Sequence, residues 1–153
     1  MVGRSVFEYV DGAKIQGAWM IKERLYPECR IGGYSRVDAT VEFYTRIGTL
    51  VGPNDTVVDL GAGRGAIHAD RPDSAQSKVS FFKGRAKEVI GIDPDPAVHD
   101  NPSLDAALVL EGERLPLDDE RADLIFADWV LEHIDDPAAF AAEVGRTLKP
   151  GGW

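Results

Sequence analysis

The chain has one cysteine, Cys29, so neither an intrachain disulfide nor a cysteine cage for a metal can form. It has no apolar run near the ~18 residues that a membrane span needs. Glu8 and Asp11 fall inside what would have to be the apolar core of a leader peptide. Positive charge is scarce: 17 Lys and Arg against 26 Asp and Glu leave a net charge of −9. That balance argues against a general affinity for nucleic acid, since phosphate binding draws on clustered Lys and Arg. Internal repeats and low-complexity segments are absent as well. The expectation is a cytoplasmic protein with neither a membrane nor a nucleic-acid partner. What is present is ordinary for a globular chain: 153 residues, 44% hydrophobic and 28% charged. A single domain of this size buries roughly 70% of its unfolded surface.

The most informative stretch is Thr56-Val57-Val58-Asp59-Leu60-Gly61-Ala62-Gly63-Arg64-Gly65. Its β-branched and apolar run predicts a strand covered on both faces. The alternating glycines then predict a sharp turn that keeps side chains away from a bound ligand. Together they predict the ligand corner of a doubly wound α/β sheet, where cofactors sit beyond the carboxyl ends of the strands.

Around that corner the chain reads in order. Residues 1–33 are taken as an N-terminal segment or lid of unassigned function, with Val6, Phe7, Tyr9 and Val10 suiting a short strand or helix. Trp19, Met20 and Ile21 suit burial, and Gly32-Gly33 breaks the chain. Ser35-Arg36-Val37-Asp38 has capping-box spacing and predicts a helix with Val37, Val41, Tyr44 and Ile47 on one stripe. After Gly65, Arg71-Pro72-Asp73-Ser74 breaks the expected helix, leaving a short helical turn, an irregular insertion and a second short helix from near Ser77 towards Arg85. Strands are predicted at Glu88 to Asp93, Ala106 to Leu110 and Ala122 to Ala127. A last helix is capped by Asp135 or Asp136, starts on Pro137, and buries Phe140, Val144 and Leu148. Lys149 suits the negative end of its dipole, and Pro150-Gly151-Gly152 ends it.

The turn leaves its cofactor open. As G-x-G-x-x-A, with Gly61, Gly63 and Ala66, it is the dinucleotide fingerprint. As D-x-G-x-G-x-G it is the first motif of a different cofactor family. Asp93, some thirty residues on, serves the ribose in both. Asp59 before the first glycine favours a positively charged cofactor, because a carboxylate in a low-dielectric cleft attracts a cation; alternatively it only caps its own turn.

Later motifs choose between them. Glu111-Gly112-Glu113-Arg114-Leu115-Pro116-Leu117, Ala122-Asp123-Leu124-Ile125-Phe126-Ala127, Val130-Leu131-Glu132-His133-Ile134 and Leu148-Lys149-Pro150-Gly151-Gly152 follow in that order. The chain thereby resembles the class I S-adenosylmethionine-dependent methyltransferases, in particular the type 11 family, over roughly residues 40 to 152. The resemblance implies that 34–153 is a partial methyltransferase domain with a Rossmann-like, doubly wound parallel sheet. It also implies S-adenosylmethionine as cofactor and a small molecule as methyl acceptor. Asp59, Leu60 and the backbone through Gly61, Ala62, Gly63 and Gly65 would surround the methionine portion. Asp93, followed by Pro94, would accept both ribose hydroxyls. Glu111, Gly112 and Glu113 would lie at the adenine with Arg114 and Leu115 closing over it, although Leu115 also reads as plain core and Glu113 as a solvated loop charge. Asp128 and Trp129 would flank the sulfonium and the acceptor.

His133 is the candidate general base for an acceptor that must lose a proton; it also reads as a helix-start residue bonded to a backbone carbonyl. Glu132-His133 resembles the end of the metal-binding pattern E-x-x-E-H, but Trp129 stands at the first Glu, so no metal is expected. The family's sheet runs 3-2-1-4-5-7-6, and only strands one to four precede Trp153. Strand four is therefore expected as an exposed apolar edge, implying a fragment, a homodimer paired across that edge, or cover from the N-terminal residues. The alternatives to a methyltransferase are a non-catalytic S-adenosylmethionine-binding or assembly fragment and an NAD-dependent oxidoreductase.

Overall fold

Thr56–Leu60 forms β1, whose Thr56, Val57, Val58 and Leu60 are each at most 3% exposed. Such two-sided burial belongs to a central parallel strand. The computed structural model describes residues 24–153, so the expectations for Val6 to Val10 and for Trp19 to Ile21 lie outside the described residues. The chain divides into two units, Met1–Asp38 and Ala39–Trp153. In the first, a 3-10 turn at Pro27–Arg30 carries the buried Cys29 and leads into Gly32 and Gly33, both at φ +79°.

The second unit holds the sheet. Glu88–Asp93 is β2, Ala106–Val109 is β3 and Leu124–Ala127 is β4, all parallel in the order β3-β2-β1-β4. Asp59 in β1 is aligned with Gly91 of β2 and Phe126 of β4. Four helices accompany the strands: α1 at Ala39–Leu50, α2 at Ala66–Asp70, α3 at Ala75–Ser80 and α4 at Pro137–Thr147. One face of the sheet packs Val57, Phe82, Val89 and Leu124 against Phe43, Tyr44 and Ile47 of α1. The other packs Val58, Leu60, Ile90 and Ile92 against Phe140, Val144 and the adjoining Leu148. Cover on both faces makes this the doubly wound parallel sheet expected, strands one to four of the Rossmann-like arrangement.

Three expectations need correction. The capping box does not form: the Val37 N–H donates to Ser35 Oγ at 3.3 Å and the Asp38 N–H to the Ser35 carbonyl. The serine closes a local turn, as short hydroxyl side chains do, and the helix starts only at Ala39. The second short helix begins earlier and ends sooner than expected, at Ala75–Ser80, with Ser74 Oγ capping Ser77 N–H. It stops because Phe82 turns inward to 1% exposure and Gly84 takes φ +78°. Lys149 serves the sheet rather than the helix dipole: its Nζ reaches both Asp123 carboxylate oxygens at 2.8 and 2.7 Å. β4 stands at the edge of the sheet as expected, and one residue meets the start of its outer side. The Trp153 N–H donates to the Asp123 carbonyl at 3.0 Å, and the Ile125 N–H donates to the Trp153 carbonyl at 2.8 Å. That is the hydrogen-bond pattern of a parallel strand starting beside β4.

Candidate functional site

Parallel strands all end at one side of a sheet, and here β1, β2 and β4 bring Asp59, Asp93 and Asp128 to the same corner. Between them runs the loop Gly61–Gly65, which the Gly61 N–H ties to the Ile92 carbonyl at 2.8 Å. Asp93 fastens it further. Its Oδ2 accepts the Gly63 N–H at 2.9 Å and its Oδ1 accepts the Asp95 N–H at 2.8 Å. Each carboxylate oxygen keeps a second lone pair for another donor.

Beneath the loop sits Asn101, 7% exposed. Its Nδ2 donates to the carbonyls of Ala62 and Gly63 at 2.9 and 3.1 Å, while its Oδ1 accepts the N–H and hydroxyl of Ser103. Glycine is required here by two different demands. A Cβ on Gly65 (φ +65°) would lie 2.2 Å from Asn101 Oδ1, whereas a Cβ on Gly63 (φ +49°) would meet nothing within 4 Å. Gly65 keeps the loop closed on its support, and Gly63 leaves a bare face of the loop towards open space.

The cleft beside the loop measures about 460 Å³ and is lined by Leu60, Gly61, Asp93, Pro94, Gly112, Leu115, Trp129 and His133 among others. Of the residues singled out in the sequence, these eight are brought together. Ala62, Gly63 and Gly65 form the loop itself. Glu113 joins His133 in an adjoining hollow of about 150 Å³. Glu111 is exposed in the turn before Gly112. Arg114 is not brought to the cleft; it lines a separate cavity with Glu88 and Arg121. Leu115 serves twice, since at 2% exposure it is core as well as cleft wall. Trp129, at φ +60° and 79% exposed, stands at the rim. His133 is exposed in a 3-10 turn, Leu131–His133, its backbone N–H bonded to the Val130 carbonyl.

Asp59 and Asp128 meet on the α1 side beside Tyr44, a residue of the helix stripe. The Tyr44 hydroxyl hydrogen-bonds Asp128, and its pKa is driven far up by burial, then by the charges of Asp59 and Asp128. Asp59 keeps some surface, yet burial of its carboxylate is the main force on it, followed by repulsion from Asp128 and Asp93. Together they push its pKa up to about 8. A corner with three carboxylates, one of them unable to ionise fully at neutral pH, is electrostatically short of a cation. Among the described residues no group of three or more His, Cys, Asp or Glu is placed to hold a metal ion.

The bare face at Gly63, the carboxylate Asp93 with acceptor capacity to spare, and the cation-seeking Asp59 suit a ligand carrying adjacent hydroxyls and a positive charge. Residues 58–153 match the type 11 family described as a methyltransferase domain. The chain belongs to that family.

Its relatives agree. This methyltransferase-family chain is 31% identical over 124 residues to the dimethylglycine N-methyltransferase of Parasynechococcus marenigrum, an alignment covering 75% of the chain and 41% of the relative. Over 107 residues it is 31% identical to the malonyl-[acyl-carrier protein] O-methyltransferase of Hahella chejuensis, covering 65% of the chain and 34% of the relative. The YcgJ protein from Bacillus subtilis shares the fold at a TM-score of 0.57 and 22% identity, over 74% of the chain and 47% of that structure. The chain thus spans less than half the length of these proteins. Membership makes the chain a class I S-adenosylmethionine-dependent methyltransferase domain in part, identifies its cofactor as S-adenosylmethionine, and sets aside the dinucleotide reading of the turn. No helix among the described residues is long and apolar enough to cross a membrane.

Two contributors escaped the sequence. Tyr44 gave a correct signal for the wrong reason, as an apolar-stripe residue whose hydroxyl had no visible partner. Asn101 sits in an Asn-Pro turn, and nothing local marks it as the support of a loop 38 residues away.

Proposed function

We propose that the chain supplies the S-adenosylmethionine-binding half of a cytoplasmic methyltransferase that acts on a small molecule. The observation that carries this reading is Asp93, which holds the glycine loop by Gly63 while facing the cleft with unused lone pairs. In this reading Asp93 receives the two ribose hydroxyls, a pairing of two acceptor oxygens with two donors. The loop from Gly61 to Gly65 follows the methionine portion, and Asp59 and Asp128 balance its positive charge. Gly112 and Leu115 form an apolar slot for a flat ring, with Glu113 at its end. Arg114 has no part in that slot.

When bound, S-adenosylmethionine supplies an electrophilic methyl group. The protein's share of the work is position and exclusion of water, which together supply most of the rate in such displacements. Trp129, 79% exposed at the rim, and Leu131, 66% exposed two residues on, offer apolar surface to an acceptor. His133, on the cleft wall, takes a proton from a hydroxyl acceptor; a neutral amine asks for none. The two curated relatives are named for N- and O-methylation, and either suits this wall. The net charge of −9 supports a partner other than nucleic acid. A homodimer paired across β4 would use the edge beyond Ile125, since Trp153 meets only Asp123 and Ile125.

Isothermal titration tests this. S-adenosylmethionine should bind and NAD should not, and Asp93→Ala should weaken binding by about 1.5–3 kcal/mol, the range for a hydrogen bond to a charged group. Unchanged affinity in a folded Asp93→Ala protein removes the residue from the site. A second reading, a cofactor-binding module without catalysis, keeps the same cleft and differs only in methyl transfer. Transfer of labelled methyl to small amine or hydroxyl acceptors separates the two.

A further inference from the structure

The segment that follows the glycine loop encloses a second cavity, of about 330 Å³, that shares no lining residue with the cofactor cleft. Its wall carries positive charge and no carboxylate: Lys78 from α3 and Lys83 and Arg85 from the turn before β2, above a floor of His68 and Ser77. In a chain with a net charge of −9 this is a local reversal of sign.

The cations are held but not neutralised. Arg85 donates to the Gly48 carbonyl at 3.2 Å and lies 5.3 Å from the centre of the Phe82 ring, both uncharged partners. Lys83 donates to the Leu104 carbonyl and stands 4.0 Å from Asp105. Lys78 is 3.9 Å from Asp73, a fully exposed side chain, and is itself 64% exposed. Exposed pairs at such lengths contribute little, so the three charges remain available to an anion. The floor adds polar groups in a fixed arrangement: Ser77, 3% exposed, meets His68 Nδ1 at 3.0 Å, and the His68 ring packs edge-on against Phe81. Burial lowers the pKa of His68 and favours its neutral ring, which has a second nitrogen to offer.

We propose that this cavity binds a small phosphorylated metabolite, with its phosphate among Lys78, Lys83 and Arg85 and its organic part against Phe81 and Pro72. A phosphate monoester carries nearly two negative charges and three acceptor oxygens, matching several separate donors better than a single carboxylate does. The volume falls at the lower end of the roughly 300–1,000 Å³ typical of small-ligand pockets. The occupant would also touch the cofactor corner indirectly, because α2, which carries His68, starts at the residue after Gly65.

The test is a calorimetric titration of the whole chain with glycerol 3-phosphate and with inorganic phosphate, ionic strength being held constant with sodium chloride. Saturable binding is expected, tighter for glycerol 3-phosphate than for inorganic phosphate. Lys78→Gln, an exposed substitution that leaves the fold alone, should weaken it several-fold. Lys78→Gln combined with Lys83→Gln should weaken it by roughly tenfold or more, the scale of a lost charged hydrogen bond. S-adenosylmethionine affinity measured on the same variants reports that they remain folded. Absence of saturable binding at constant ionic strength overturns the proposal, as does equal binding by the folded double variant. Equal affinity for the two probes overturns its organic part.

Discussion

Asp59 is the residue whose environment makes the sharpest demands. Its folded pKa of about 8 stands above the ordinary 3.8, so between those values the folded state holds a proton that the unfolded chain has released. Stability from this group is therefore full below pH ~4 and is lost as pH rises towards 8. Asp59→Asn should remove that loss: without ligand, the variant's melting temperature should gain on the wild type's between pH 5 and pH 8. A cation in the corner pulls the same proton off. S-adenosylmethionine should accordingly bind more tightly as pH rises to about 8, by at most about tenfold per unit for one released proton. In Asp59→Asn that dependence should flatten. Calorimetry in buffers of different ionisation enthalpy measures the proton directly. Asp59 and Asp93 were legible in the sequence because a carboxylate at a strand end beside glycines has few other uses. Asn101 and Tyr44 were not, because their partners, Gly63 and Asp128, come from distant elements.

Among elements, the glycine loop separates two kinds of damage. Gly63→Ala should cost only about 1–2 kcal/mol, the left-handed backbone penalty, since its Cβ meets nothing within 4 Å. A loss of cofactor affinity in the folded Gly63→Ala protein would put that open face of the loop against the ligand. Gly65→Ala adds a collision at 2.2 Å with Asn101 Oδ1, whose own bonds hold the loop. Its cost should reach about 2–4 kcal/mol once overpacking is included. Urea melts and titrations of the two variants check the contrast. The strands were readable because their burial is nearly complete and their composition follows it, as at Val57, Val58, Ile90 and Ile92. Helix starts were readable only where the cap was decisive. Asp136 does accept the Ala138 and Ala139 N–H groups at 3.0 Å ahead of Pro137. Ser35 has capping-box spacing but spends its hydroxyl on a turn.

At the scale of the molecule, the junction of α4 with β4 and β1 depends on one acidic side chain. Asp123 accepts from Lys149 and from the Thr56 N–H. Burial opposes its charge, but these donors outweigh that and hold its pKa below the usual range. Stability from Asp123 is thus present above pH ~4 and lost as pH falls through its lowered folded value. Lys149→Met should cost about 1 kcal/mol at low ionic strength and less in high salt, because the pair is partly exposed. Thermal melts at two salt concentrations check this. The sequence made the strand order legible through its resemblance, β4 at the edge included, whereas the contact of Trp153 with Asp123 and Ile125 had no signal in it.

The order β3-β2-β1-β4 also has a consequence for how the molecule is made. β1 emerges first from the ribosome, yet both its neighbours come later, and the contact of Thr56 with Asp123 spans 67 residues. Closing so long a loop before any reward slows folding. One edge of β1 therefore stays unpaired until β4 has been made, a period in which an apolar strand is exposed to aggregation. Asp59 and the glycine loop are made early, but the corner is assembled only when Asp93 and then Asp128 arrive.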